Sequence, residues 1–167
     1  MKKMTEENLK NAFAGESQAH MRYLIFAKKA EKEGYANIAR LFRAISHAEE
    51  VHATNHYDAL SMIRDSAANL QVAIDGETYE VNEMYPVFNA VAKLQGEKDA
   101  ERTTEWALQA EKIHASMYTD AKEAVESRKD ITLGTVYICD TCGFTVEGEA
   151  PTNCPICGAP KDKFRKF

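Results

Sequence analysis

The chain has 167 residues, 44% hydrophobic and 28% charged, with a formal net charge of -5. This composition excludes a disordered chain, and no apolar run approaches the roughly 18 residues that a bilayer crossing needs. No basic stripe interleaved with aromatics is present, which argues against nucleic acid as a partner.

The opening "MKKMTEENLK" lacks the apolar stretch of a secretory leader, so a cytoplasmic location is expected. From Thr5 the chain turns rich in Ala, Glu, Lys and Leu. Thr5 reads as an N-cap, and Gly34, preceded by lysines, as the end of a first helix. A second helix is expected from about Ala36 to Ile63. Residues 64–78 read as a long connection with a short apolar patch. A third helix is expected from near Tyr79 to Gln95-Gly96, and a fourth from about Glu97 to Ser127. Pro86 disturbs the third, because proline lacks the N–H and crowds the preceding turn. That helix either starts at Pro86 or is kinked there, and a shared face for Glu80 and Glu83 favours the kink.

An internal repeat appears at an offset of 62. Tyr23, Phe26, Ala30 and Gly34 recur as Tyr85, Phe88, Ala92 and Gly96, and Ala48, Glu49, His52 and Ala53 as Ala110, Glu111, His114 and Ala115. The expected fold is mainly α, with residues 1–130 forming two like helical hairpins of a ferritin-like four-helix bundle.

"HAEEVH" and "QAEKIH" each set a glutamate and a histidine three apart, on one helical face: Glu49 with His52, and Glu111 with His114. One such pair is weak evidence for a site. Two at matching places of a repeat are strong evidence. Counting residues from the turn glycines brings Glu16, Glu80 and Glu83 to about the same depth, roughly 20–27 Å from the turns at about 1.5 Å per residue. Five carboxylates cannot converge ionised without cations. Two divalent ions would neutralise them, and carboxylate with imidazole suits iron or manganese. Two Fe(II), or two Fe(III) with an oxide, would each leave a net charge of about -1 against five carboxylates. Tyr23, on the face of Glu16, and its repeat mate Tyr85 are candidates to donate a hydrogen bond to a ligating carboxylate, with core packing the equal alternative. His20, His47 and His56 read as solvated or supporting residues, Glu50 points away from Glu49, and Trp106 and the methionines read as core.

All four cysteines lie in the tail, as Cys139-x-x-Cys142 and Cys154-x-x-Cys157, each pair followed by a glycine, Gly143 or Gly158. Four thiolates suit a tetrahedral iron, and zinc would also fit. Residues 134–167 are too few to form a core without the metal, so a small four-cysteine metal domain is expected.

"FAGESQAHMRY", "HAEEVH", "YEVNEMYP", "AEKIH" and "CDTCG…CPICG" together resemble the rubrerythrin family over nearly the whole chain. The resemblance implies a non-haem di-iron centre in the bundle, two irons per chain, and a rubredoxin-like site with one more iron held by four cysteines. It implies a peroxidase that reduces hydrogen peroxide to water and protects against oxidative stress. Electrons would come from rubredoxin or an NAD(P)H-linked reductase and pass through the cysteine-bound iron. By motif, Glu16, Glu49, His52, Glu80, Glu83, Glu111 and His114 would ligate the di-iron centre, Glu49 and Glu111 as bridges, with His52 exchanging with Glu83. Cys139, Cys142, Cys154 and Cys157 would hold the single iron. The spacing between the two cysteine pairs is shorter than in free-standing rubredoxins.

The fourth helix should run roughly 22 Å past His114 before the cysteines begin. Unless the tail folds back, its iron would stand far from the chain's own di-iron centre. That predicts a homodimer, with the four-cysteine domain of one copy docked head-to-tail on the other. The competing readings are a ferroxidase or iron-handling protein of ferritin-like type, and a helical scaffold with a zinc ribbon.

Overall fold

The computed structural model describes all 167 residues. Contacts divide them into two compact units, Met1–Arg64 and Asp65–Phe167.

The first unit is a hairpin of α1 (Lys3–Lys32) and α2 (Ala36–Ala59). Helix α1 starts two residues before Thr5, with Lys2 as its cap and no side chain capping it. Its end follows the expectation. Gly34 takes a φ of 86°, and Tyr35 N–H reaches back to Ala30 O at 2.9 Å, which closes the last carbonyls and reverses the chain. Ala27, Ala30, Ala39 and Ala53 are buried along the seam, and these small side chains let the two backbones approach closely. Ser46, also buried, donates to the His20 carbonyl at 2.9 Å, and His20 Nδ1 lies 3.0 Å from the Ser46 carbonyl. Helix α2 stops at Ala59, short of the expected Ile63, with Ser61 in the left-handed region at φ 56°.

The second unit corrects the expected connection. Residues 66–79 are helical: α3 spans Ser66–Tyr79. Asp65 caps it, its side chain accepting from the Ala68 N–H at 2.8 Å. A π turn at Glu80–Met84 then leads into α4 (Tyr85–Gln95). The rod from Ser66 to Gln95 thus matches the thirty residues of α1. Pro86 sits in the first turn of α4, where the widened turn before it relieves the clash that proline makes with a regular helix. Gly96, at φ 74°, ends α4 as Gly34 ends α1, and Glu97 N–H bonds Ala92 O at 2.9 Å. Helix α5 (Lys98–Glu126) returns alongside. Buried Asn89 ties α4 to it, donating to Glu101 O at 2.8 Å and to Thr104 Oγ1 at 3.0 Å.

Beyond α5, Arg128 adopts φ 57° and the chain turns back. The tail is a three-stranded antiparallel sheet in the order β2-β1-β3, from β1 (Val136–Cys139), β2 (Thr145–Glu147) and β3 (Phe164–Lys166). Strand β2 lies against α5. The expectation that the tail would extend away from its own helix is therefore corrected: it folds back onto α5. No helix of the chain is long and apolar enough to cross a membrane.

Candidate metal centres

In the first unit, Glu16, Glu49 and His52 bring their ligand atoms within 4.8 Å of one another. His52 Nδ1 lies 2.9 Å from Glu49 Oε2 and 3.9 Å from Glu16 Oε1. The Glu49 and His52 pair is set by one helical turn of α2, and Glu16 is delivered by α1 across the alanine seam.

The second unit repeats this arrangement with Glu77, Glu111 and His114. His114 Nδ1 lies 2.5 Å from Glu111 Oε2 and 4.0 Å from Glu77 Oε1. Glu77 is not among the residues expected from the sequence. Counting from the glycine turns fails there because the π turn holds one residue more than a regular helical turn. Before it, the repeat offset is 61: Gly15-Glu16-Ser17 recurs as Gly76-Glu77-Thr78. That tripeptide was the available signal.

Glu80 opens the π turn and feels the same cluster. Its carboxyl is raised above the usual carboxylate range by burial, then by the charge of Glu111, with His114 partly opposing. Glu77 is pushed up to about 7, first by burial, then by its hydrogen bond with Glu111 and the charges of Glu111 and Glu80. Tyr85 is held above its ordinary value by burial and by Glu80, Glu111 and Glu77, so its phenol keeps its proton. Glu83 is exposed and lies outside the Glu77, Glu111 and His114 group. Tyr23 is part of an aromatic group, its ring 6.4 Å from that of Phe26 and 6.1 Å from that of Phe42.

Carboxyls raised by burial and by one another's charge, as Glu77 and Glu80 are, mark a donor set that a cation would relieve. Two carboxylates with one imidazole in each group suit iron or manganese in the way oxygen and nitrogen donors do.

In the tail, Cys139, Cys142, Cys154 and Cys157 converge. Each pair wraps its own knuckle: Gly143 N–H bonds Cys139 O and Gly158 N–H bonds Cys154 O, both at 2.9 Å. Gly143 and Gly158 take φ values of 82° and 76°, which a side chain would oppose. Cys139 Sγ lies 3.7 Å from Cys157 Sγ, and Cys142 Sγ lies 3.5 Å from Cys154 Sγ. These are too long for disulfides and close to the roughly 3.8 Å edge of a tetrahedron with ~2.3 Å metal–sulfur bonds. Burial raises the Cys142 and Cys157 thiols. It also acts against Cys139, but the Thr141 and Cys142 N–H groups and the neighbouring thiols bring Cys139 down to about 7. The tail thus gathers four sulfur donors, one of which, Cys139, is shifted toward its thiolate form.

The family model for rubrerythrin matches residues 7–122, and that for the rubrerythrin rubredoxin-like domain matches residues 137–165. The chain belongs to the rubrerythrin family. It is 48% identical to rubrerythrin-2 of Clostridium acetobutylicum, over 98% of this chain and 97% of that one. It is 36% identical to nigerythrin of Nitratidesulfovibrio vulgaris, over 98% and 86%. Two solved structures of nigerythrin, in a mixed-valence and in a fully reduced, all-ferrous state, superpose with TM-scores of 0.56 and 0.57 at 35% and 34% identity, each covering 98% of this chain and 86% of theirs. The fold class is thus ferritin-like with a rubredoxin-like four-cysteine tail, as expected. Rubrerythrins carry a di-iron centre and a rubredoxin-like iron and are in general oxidoreductases of the peroxidase kind.

Proposed function

We propose that the chain is a non-haem di-iron peroxidase that reduces hydrogen peroxide to water in the cytoplasm, with electrons relayed through the four-cysteine site from rubredoxin or an NAD(P)H-linked reductase. The observation that carries this reading is the duplicated carboxylate and histidine group in a chain that also holds a four-cysteine site against one of its members. One hairpin would supply Glu16, Glu49 and His52 as ligands. The other would supply Glu77, Glu80, Glu111 and His114. In the second hairpin Glu77 would take the ligand place first expected for Glu83, with Glu80 as a further carboxylate beside it.

When bound, two irons would supply the two electrons that peroxide reduction consumes, together with two protons, to give two waters. The protein's part is to hold and deliver those protons. Tyr85, whose phenol is held above its ordinary value by burial and by the charges of Glu80, Glu111 and Glu77, is the candidate donor in the second hairpin. Tyr23, its repeat mate, is the corresponding candidate on the first hairpin. Glu80 opens the π turn, an irregularity of the kind that often accompanies functional sites.

A homodimer belongs to the proposal, although the reach of the tail no longer argues for it, since the tail meets its own α5. Its support is the exposed apolar surface of each unit. Ile25 and Leu41 are 56% and 61% exposed in the first unit, and Val87 and Leu94 are 58% and 87% exposed in the second. Sedimentation of the iron-loaded protein tests it, and a fully active monomer would overturn it.

Function is tested by reducing the iron-loaded protein and mixing it with hydrogen peroxide or with oxygen. Fast reoxidation by peroxide, with one peroxide consumed per two electrons from the helical centre, supports the peroxidase. Preferential reaction with oxygen and retention of ferric mineral would establish the ferroxidase instead.

A further inference from the structure

The two hairpins are tied by less chain than a ferritin-like bundle requires. Such a bundle joins its hairpins by one long crossover, which carries the chain from one end of the bundle back to the other. The residues expected to form it, 64–78, are helical from Ser66 onward. Helix α2 ends at Ala59, so only the six residues 60–65 remain to connect. Fully extended, they reach about 21 Å at ~3.5 Å each. Helix α2, with 24 residues at about 1.5 Å each, is roughly 36 Å long. Nor are the six free to extend. The Leu60, Ser61 and Met62 N–H groups bond back to the His56, Asp58 and Tyr57 carbonyls and close α2, while Asp65 caps α3. One chain therefore cannot lay both of its hairpins into the same ferritin-like bundle.

Each hairpin carries an uncovered apolar stripe. On α2, Ile38, Leu41 and Ile45 are exposed and follow one another at helical spacing into Glu49 and His52. On α4, Val87, Val91 and Leu94 form a stripe of the same kind. The repeat matches the bare residues as well: Ile25 and Phe26 of α1 are exposed, and so are their mates Val87 and Phe88. Like patches on like hairpins fit the pairing of one hairpin with another. If two copies exchange hairpins about a two-fold axis, each linker passes from one bundle to the next instead of along one bundle. Six residues then suffice, and the pairing closes on two copies.

We propose that two copies of this chain exchange hairpins, so that Glu16, Glu49 and His52 of one copy meet Glu77, Glu80, Glu111 and His114 of the other. The proposal rests on the reading of these groups as ligands of one di-metal centre, and it makes the second copy part of that centre.

Two variants, each disabled in one hairpin, test it. Glu49→Gln and Glu111→Gln are produced together with different affinity tags, and pairs holding one of each are isolated with zinc in the four-cysteine sites. Each variant alone should bind little helical cobalt. In the mixed pair one bundle takes both defects and the other takes neither, so helical cobalt per chain should return to about half of wild type. No recovery overturns the proposal, because bundles made within single chains would each keep one defect. A second measurement needs no helical metal. Wild type should sediment as a dimer, and insertion of about twenty Gly and Ser residues between Ile63 and Arg64, enough to span α2, should yield a monomer. A monomeric wild type, or an inserted chain that stays dimeric at the same concentration, overturns the exchange. Wild-type dimers that respond to the insertion but take no helical cobalt would sink the di-iron reading and leave the exchange standing.

Discussion

Glu77 Oε1 stands 4.0 Å from His114 Nδ1, which makes it the counterpart of Glu16, whose Oε1 stands 3.9 Å from His52 Nδ1. The two glutamates occupy the same position in the repeat although one lies 18 residues before its turn glycine and the other 19. The extra residue is taken up by the π turn.

From that equivalence, Glu77→Gln should remove metal from the helical site, with affinity falling by more than ten-fold, while Glu83→Gln should bind nearly as wild type. Iron per chain, with the cysteine-bound iron counted separately from its absorbance, decides between them. Full helical iron in E77Q with loss in E83Q would restore Glu83 as the ligand.

The pH dependence of the metal-free protein follows from Glu77, whose folded pKa is raised from 4.5 to about 7 by burial, Glu111 and Glu80. The folded state holds this proton more tightly than the unfolded state does. The resulting stability is fully present below about pH 4.5 and is lost as pH rises through 7. The Tm of the apo protein should therefore fall between pH 5 and pH 8, and Glu77→Gln should flatten the fall. Metal must displace the same proton, so metal affinity should rise over that interval.

Deleting Asn82 from the π turn should turn it into a regular helical turn. Glu77 would rotate by about 100° relative to α4 and leave the Glu111 and His114 group. Helix content should persist by circular dichroism, and helical iron should be lost. Retained binding would show that the widened turn is not what aims Glu77.

Cys142→Ser should cost the tail its metal and, with it, the order of residues 134–167, since a segment this small folds around its metal. Amide dispersion of the tail should collapse while α1 and α2 remain helical. A tail that keeps its dispersion without metal would show that the sheet and its seat on α5 suffice.

The four-cysteine site and the pairs Glu49 with His52 and Glu111 with His114 were legible because their chemistry is written at fixed local spacings of three residues. The glycine turns at Gly34 and Gly96 were legible because a glycine closing a helix is a local signal, and the repeat gives it twice. Helix α3 was not, because Asp75-Gly76 reads as a breaker while the signal that starts the helix, Asp65 bonding the Ala68 N–H, is a single residue long. The return of the tail onto α5 was hidden as well. It begins at Arg128 with φ 57°, a conformation that a non-glycine residue does not announce. Pro86 did mark the irregularity, but a proline tells where a helix is disturbed and not how many residues the disturbance absorbs.

The π turn at Glu80–Met84 works as slack in an otherwise taut rod. A surplus residue of this kind can be handed one place along the backbone by exchanging one set of hydrogen bonds for the next, without lengthening the helix. Such a shift would swing Glu80 around the axis while Glu77, anchored upstream, keeps its aim. One carboxylate arm would then travel while its neighbour three residues away stays still.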